Sequence, residues 1–453
     1  MQVTTARRRS SDKREDGKAN LIRGVRRWDA VALTFNWIIG AGIFAVPSKV
    51  YALTGTYSLF AFATCALFAV LISFCFAEVS SRFRETGGPY LYTHTAFGSL
   101  IGFEVGWMLW LTRLATSAAI CNVIVNYLSY FWAPLGSGLW RAGIITIAVV
   151  TLTLTNIFGV SRAAVLGDIL TVGKLVPLLL FVAVGLFFIN RHSYSLADAP
   201  SMGSFSLSVS QLIFAFSGFE MAVVTAGETR DPQRNVPFAL LMAIGVVSLL
   251  YILIQVVCIG TLPQLASSEK PLADATNVFI GPAGASIITL GMLVSGLGTL
   301  NANLLAGPRL PFAMAKGDQL PRVLSGTHRR YHTPHIAILI TASLVLLLAL
   351  SGTFTQMVIL SSISKLLTFV ATCVALPVLR RRHRESSAPF RLPAGIALSV
   401  IATAICLWLL ANSGWAELRI VGITGAAGLL FHIFYSLRKG RLTSSNRREA
   451  QIS

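Results

Sequence analysis

Apolar and polar positions in this chain separate into whole segments rather than alternating residue by residue. Mostly apolar runs of around twenty residues recur, each long enough to cross a hydrocarbon core of about 30 Å as a helix. The pattern predicts twelve spans, at 28–52, 58–80, 99–130, 141–158, 164–189, 207–229, 237–262, 284–315, 335–351, 355–379, 396–412 and 416–437. The third and eighth are longer than a perpendicular crossing needs, which calls for tilt or for an extension past the bilayer. Connections are short, so no soluble domain is expected between spans. Polar tails remain at 1–27 and 438–453.

Two spans break the helical pattern. Residues 36–47 read NWIIGAGIFAVP, with Gly40 and Gly42 flanking Ala41 near the middle of an apolar run. Each glycine costs about 1 kcal/mol against alanine in a helix interior. Freed backbone groups find no water in a bilayer, so a broken helix is tolerated there where it lines a cavity or binds something. The sixth span, QLIFAFSGFEMAVVTAGETRDPQRNVP at 211–237, is interrupted at Ser217 and Gly218, with the carboxylate of Glu220 two residues on. Packing glycines are common in membrane helices, so the first pair alone divides evenly between packing and a site. The second break shifts the reading to a site.

The breaks lie five spans apart, an odd number, so the two helices run in opposite senses. This is the arrangement of an inverted repeat. It divides the chain into a first five-helix unit at 28–189, a second at 207–379 and two further helices at 396–437. Antiparallel broken helices make a polar pocket from backbone alone. The half-helix beginning near Ile43 directs free N–H groups and a positive dipole end into the gap, which suits a carboxylate. The half-helix ending near Ala215 and Ser217 offers carbonyls, which suit an ammonium. A solute carrying both groups on one carbon, an α-amino acid, satisfies both ends.

Composition agrees with a membrane location. Of 453 residues 54% are hydrophobic and only 12% charged, against about a quarter charged in soluble domains. The net charge of +19 raises nucleic acid as a partner, but the position of the charges argues against it. Twenty-nine Lys and Arg fall in one set of alternate connecting segments and four in the other. The positive-inside rule then puts both termini in the cytoplasm. The stretch before Trp28 is too long and too charged for a signal peptide. All six cysteines lie within apolar runs and form no CxxC pair, so they read as small buried hydrophobes. No metal-ligand cluster and no catalytic triad pattern is found. GDILTVGK at 167–174 departs from a phosphate loop in spacing and lies in a span, so no ATPase is expected.

Four cations fall within or at the end of spans: Lys49, Arg113, Lys174 and Lys365. Lys174 lies about ten residues, or 15 Å, into its span, too deep to reach water comfortably. Ionisable groups at such depth mark functional sites by default. The alternative for Lys174 is a structural ion pair. Arg113 reads first as structural, with Glu220 as a partner. Glu78 and Asp168, near the cytoplasmic ends, read as solvated or paired with loop arginines. The arginine run at 380–385 reads as an orientation signal.

The sequence resembles the amino acid–polyamine–organocation permease family, built on the leucine-transporter fold. GAGIF (40–44) is similar to the family's first-helix glycine motif. FAFSGFE (214–220), followed by GETRDPQRNVP (227–237), is similar to its sixth-helix break. FAEVSSRFRETGGPYLY (76–92) and RLPFAMAKGDQLP (309–321) resemble its loops after the second and eighth helices. The resemblance covers residues 25–437 and implies an all-α membrane protein of twelve transmembrane helices, with a five-plus-five inverted repeat and two additional helices. It implies that Gly40, Ala41, Gly42 and Ile43 bind a substrate carboxylate, while Phe214, Ala215, Phe216, Ser217 and Gly218 supply carbonyls to its amine. Phe214 then also gates the site. Glu220 matches a proton-sensing carboxylate of some members. Lys174 matches a fifth-helix lysine that replaces the sodium ion of relatives by bridging helices one, five and eight. Arg113 and Lys365 have no counterpart in that pattern and leave the substrate's charge open.

The expected activity is secondary transport of an amino acid across the cytoplasmic membrane by alternating access. It would be independent of Na⁺ and either coupled to protons or run as exchange, with no cofactor or metal. Two rivals stand beside it: a carrier of polyamines or organic amines, and a sensor on the same fold that binds amino acids without moving them.

Overall fold

The computed structural model describes residues 25–83, 87–158, 174–196, 199–224, 229–331, 333–382 and 389–452. Among these residues regular structure is helical throughout, apart from one isolated bridge between Val25 and Thr229. The first apolar run forms two helices, α1 (Arg27–Ile38) and α2 (Gly42–Thr54), separated at residues 39–41. The carboxylate of Asp29 in the first turn of α1 accepts the Arg26 N–H at 2.9 Å. This satisfies an end donor and sets negative charge at the positive end of the helix. Then follow α3 (Ser58–Ser81), α4 (Gly88–Phe97), α5 (Ser99–Leu128), α6 (Gly138–Phe158) and α7 (Lys174–Phe188).

The sixth run is again two helices, α8 (Met202–Phe216) and α9 (Glu220–Val224). Ser201 starts α8 by accepting the Ser204 N–H at 3.1 Å on its hydroxyl, the usual role of serine at that position. The remainder comprises α10 (Pro232–Thr261), α11 (Pro271–Phe279), α12 (Pro282–Ala306), α13 (Arg309–Lys316), α14 (His335–Ser351), α15 (Phe354–Arg382), α16 (Gly395–Ala411) and α17 (Trp415–Ile452). Proline opens α10, α11 and α12, where its missing N–H has no intrahelical partner to lose.

Four expected boundaries differ by five residues or more; one is the start of the seventh span, at Pro232 instead of 237. The eighth span ends at Ala306 instead of near 315, because Gly307 and Pro308 end the helix and α13 starts separately. The twelfth run continues as helix to Ile452. The sixth starts earlier, at Met202, while its interruption at 217–219 falls where the break was expected. The first ten positions of the expected fifth span, with Asp168, lie outside the described residues.

Among the described residues seven helical stretches are long and apolar enough to cross a membrane, and four shorter apolar helices, Lys174–Phe188, Met202–Phe216, His335–Ser351 and Gly395–Ala411, accompany them. Burial sorts these helices. The most apolar window of α5 is 94% buried and that of α15 78%, against 11% for Leu418–Tyr435 in α17. Helices α5 and α15 therefore pack together as the centre, and residues 418–435 of α17 present most of their side chains outward. Leu249, Leu347 and Leu430 are exposed within apolar helices, the inverse of a soluble protein's surface. This is an all-α integral membrane protein. All six cysteines are free and buried, as their apolar settings predict.

One buried ion cluster clamps the bundle. Glu78, fully buried near the end of α3, accepts Arg380 Nε at 2.7 Å and Nη2 at 2.6 Å, Arg82 Nη2 at 3.1 Å and the Leu392 N–H at 3.0 Å. The expected loop-arginine pairing of Glu78 is thus met by two arginines at once. Arg380, read from sequence as part of an orientation signal, is one of them.

Candidate functional site

The chain at both interruptions is short of backbone partners. At the first, α1 ends with its carbonyls taken up individually. Phe35 O accepts from Ile39 N–H at 2.9 Å, and Ile38 O accepts from Gly40 N–H at 2.9 Å and from the Tyr251 hydroxyl at 3.3 Å. Asn36 O accepts from Lys174 Nζ at 2.7 Å. On the other side of the gap, among the described residues, no hydrogen bond engages the N–H groups of Ala41, Gly42 or Ile43. Those groups open α2, where no preceding turn supplies acceptors and the dipole is positive.

At the second interruption Ser217 leaves helical geometry with ψ 164° and Gly218 takes φ 122°. That φ is one a side chain rarely adopts, so glycine is needed there. The Gly218 N–H donates to Glu220 Oε2 at 2.7 Å instead of returning to α8. The Ser217 hydroxyl donates to Phe214 O at 2.7 Å.

The breaks lie against each other. A Cβ on Gly42 would be 3.0 Å from the Phe214 ring and 3.1 Å from Ala215 Cα. A Cβ on Gly218 would be 2.2 Å from Trp37 O and 3.0 Å from Ile38 Cα. The glycines therefore allow the end of α8 to meet the start of α2, and the loop after α8 to meet the end of α1. Gly40 faces Thr299 of α12, with 3.5 Å between a built Cβ and Thr299 Cγ2. Ala41 and Ile43 are buried beside them. The three phenylalanines around the second break, Phe214, Phe216 and Phe219, divide. Phe216 packs on Tyr251 and Phe62, and Phe219 on Phe76 and Phe369, within the core. Phe214 alone lies at the junction of the breaks.

On its other side Phe214 meets Phe354, the first residue of α15, edge to face at 6.2 Å. Phe354 lines a cleft of about 390 Å³ together with Lys49, Asn122, Asn126, Arg141 and Glu269. Glu269 bridges two elements across this cleft, accepting from Lys49 Nζ of α2 at 2.6 Å and from Asn126 Nδ2 of α5 at 3.1 Å.

Beside the breaks the buried ionisable residues settle into two groups. Lys174 is 3% exposed, and its partner among the described residues is the Asn36 carbonyl rather than a carboxylate. A positive charge at the C-terminal end of α1 is favourable with the helix dipole. The second group surrounds Glu220. Lys365 Nζ lies 3.5 Å from Glu220 Oε1 and bonds the Ser217 hydroxyl. Arg113 donates to Asn303 Oδ1 at 3.0 Å and to the Met221 sulfur. Lys365 thus faces the Glu220 carboxylate, while Arg113 reaches the adjacent Met221; among the described residues no ion pair or hydrogen bond joins Arg113 to Glu220, its expected partner. Sequence reasoning noted Lys365 as a cation within a span but found no partner for it, because α15 reaches the second break only in the folded bundle. Phe354 and Asn303 carried no sequence signal at all.

Residues 26–433 match the family described as amino acid permease, and the chain belongs to that family. It is a membrane transporter and not an enzyme. It is 27% identical to the methylthioribose transporter of Bacillus subtilis (strain 168) over 446 residues, covering 93% of this chain and 95% of that one. It is likewise 27% identical to the serine/threonine exchanger SteT of the same organism over 424 residues, covering 90% and 95%. To the branched-chain amino acid permease BcaP, also of that organism, it is 25% identical over 449 residues, covering 94% and 96%.

Proposed function

We propose that this permease carries an amino acid across the plasma membrane by alternating access, with the substrate held between the two helix breaks. The observation that carries the reading is the unbonded N–H groups of Ala41, Gly42 and Ile43 opening α2 directly beside the end of α8. These groups bind the carboxylate beside Gly40, whose own N–H is taken by Ile38 O, and the carbonyls from Phe214 at the end of α8 through Gly218 receive the ammonium. Phe214, backed by Phe354, separates this site from the cleft edged by Lys49 and Glu269. Two relatives that transport amino acids, the serine/threonine exchanger and the branched-chain permease, favour the same substrate class.

The wider frame of the proposal is twelve spans with cytoplasmic termini, the units 28–189 and 207–379 forming the inverted repeat. Lys174 takes the place of a sodium ion at the end of α1, which makes transport independent of Na⁺. Glu220 and Lys174 are the groups through which protons would couple, if exchange does not drive the cycle. The substrate shifts the equilibrium between the two facing states through its differential affinity for them.

A thermal-shift screen of the purified protein tests the reading, using the twenty amino acids, their decarboxylated amines and methylthioribose. Stabilisation by one or more amino acids, absent with the matching amine, is the expected result. Tighter binding of the amines, or of methylthioribose alone, would sink it. Binding without movement in liposomes would identify a sensor instead.

A further inference from the structure

Both half-helices that run into a break end in a lysine from a distant helix. At α1 the ammonium of Lys174 from α7 bonds Asn36 O at 2.7 Å. At α8 the Ser217 hydroxyl bonds Phe214 O at 2.7 Å, and the ammonium of Lys365 from α15 bonds that hydroxyl. Each C-terminal end carries about half a negative charge, so a cation is stabilising at both. In the five-plus-five frame α7 and α15 are equivalent spans serving equivalent breaks. The same device occurs twice.

The second copy stands where the proposed function needs the substrate's ammonium. Like charges this close repel strongly where little water screens them, so the two ammonium groups cannot share the end of α8. The geometry offers Lys365 an alternative seat. Glu220 Oε2 is occupied by the Gly218 N–H at 2.7 Å. Glu220 Oε1 is buried, has no hydrogen-bond partner among the described residues and lies 3.5 Å from Lys365 Nζ. Closing that gap to an ordinary charge-assisted bond takes less than about 1 Å of movement. Arg113, the other cation near Glu220, is held on Asn303 and Met221.

We propose that Lys365 is a tethered stand-in for the substrate's ammonium, bonded to Ser217 when the carrier returns unloaded and moved onto Glu220 Oε1 by an arriving amino acid. The proposal rests on the amino acid reading above. Its functional consequence is that the unloaded carrier can reorient, so it performs net transport and is not confined to exchange. Lys365 is on this account a positioning residue.

The test compares uptake of a radiolabelled mixture of the twenty amino acids into liposomes loaded with the same mixture or with buffer. Wild-type net uptake is expected to lie within about threefold of exchange. In Lys365→Met net uptake should fall by at least about tenfold relative to exchange in the same preparation, a coupling of ordinary size. Lys365→Arg, which keeps the cation, should restore the wild-type ratio. If Lys365→Met fails to fold because Glu220 loses its partner, the pair Lys365→Met with Glu220→Gln should show the same drop in the ratio. A wild type that exchanges without net uptake, or an unchanged ratio in the Met variants, overturns the role of Lys365 while leaving the amino acid reading intact. A wild type that neither binds nor carries any amino acid overturns both.

Discussion

At the scale of single residues, Gly218 and Gly42 bear different loads. Gly218 combines φ 122° with a carbonyl 2.2 Å from any added Cβ. The backbone conformation alone costs a side chain about 1–2 kcal/mol, and Trp37 O belongs to the main chain and cannot swing aside. Gly42 has ordinary helical geometry, and its neighbours are the Phe214 ring at 3.0 Å, a side chain that can tilt, and Ala215 Cα at 3.1 Å, a contact far looser than the 2.2 Å at Gly218. Gly218→Ala should therefore lower liposome uptake by at least about tenfold, with Gly42→Ala milder. Comparing uptake at matched protein incorporation decides it; the reverse order would show that contact between the breaks does not limit the cycle. The glycines themselves were legible in the sequence. Their opposing surfaces were not, because Trp37 lies 181 positions from Gly218.

At the scale of elements, the Glu78 cluster joins α3, α15 and the segment leading into α16 through one buried carboxylate. Removing one partner of a buried pair typically costs about 3–5 kcal/mol, since the remaining charge stays desolvated. Glu78→Gln should lower the thermal midpoint of the purified protein in detergent by a corresponding amount. An unchanged midpoint would mean that Arg82 and Arg380 find other acceptors. The Lys49–Glu269 bridge is of another kind, because Glu269 is 57% exposed. Such pairs contribute about 0–1 kcal/mol, so its place over the cleft is the more informative fact. Helix positions were readable from hydropathy to within a few residues. The early end of α12 at Ala306 was hidden by apolar residues that continue past Gly307 and Pro308.

At the scale of the whole molecule, the two broken helices, the lysine at the end of each leading half and the clamp at Glu78 belong to one bundle centred on α5 and α15. If Lys174 acts in place of a bound sodium ion, replacing NaCl by choline chloride should leave wild-type uptake unchanged, and Lys174→Met should abolish or uncouple it. Labelled uptake in the two salts reads both effects. Strict Na⁺ dependence of the wild type would overturn the substitution of lysine for sodium, and full uptake by the Met variant would make Lys174 structural.

The sequence by itself determined that this is a helical membrane protein, where its apolar helices lie and which two of them are interrupted. Hydrophobic length and glycine placement are local properties, and a bilayer leaves few alternatives for a chain that must satisfy its own backbone. The family was legible for the same reason, since its motifs are short and contiguous. The tertiary structure alone decided which groups meet at the breaks: Trp37 O on Gly218, Phe214 on Gly42, Lys174 on Asn36 O, and Lys365 between Ser217 and Glu220. Those contacts join residues more than a hundred positions apart. Several of their partners are backbone atoms or hydroxyls, which any sequence supplies in abundance, so only packing selects among them.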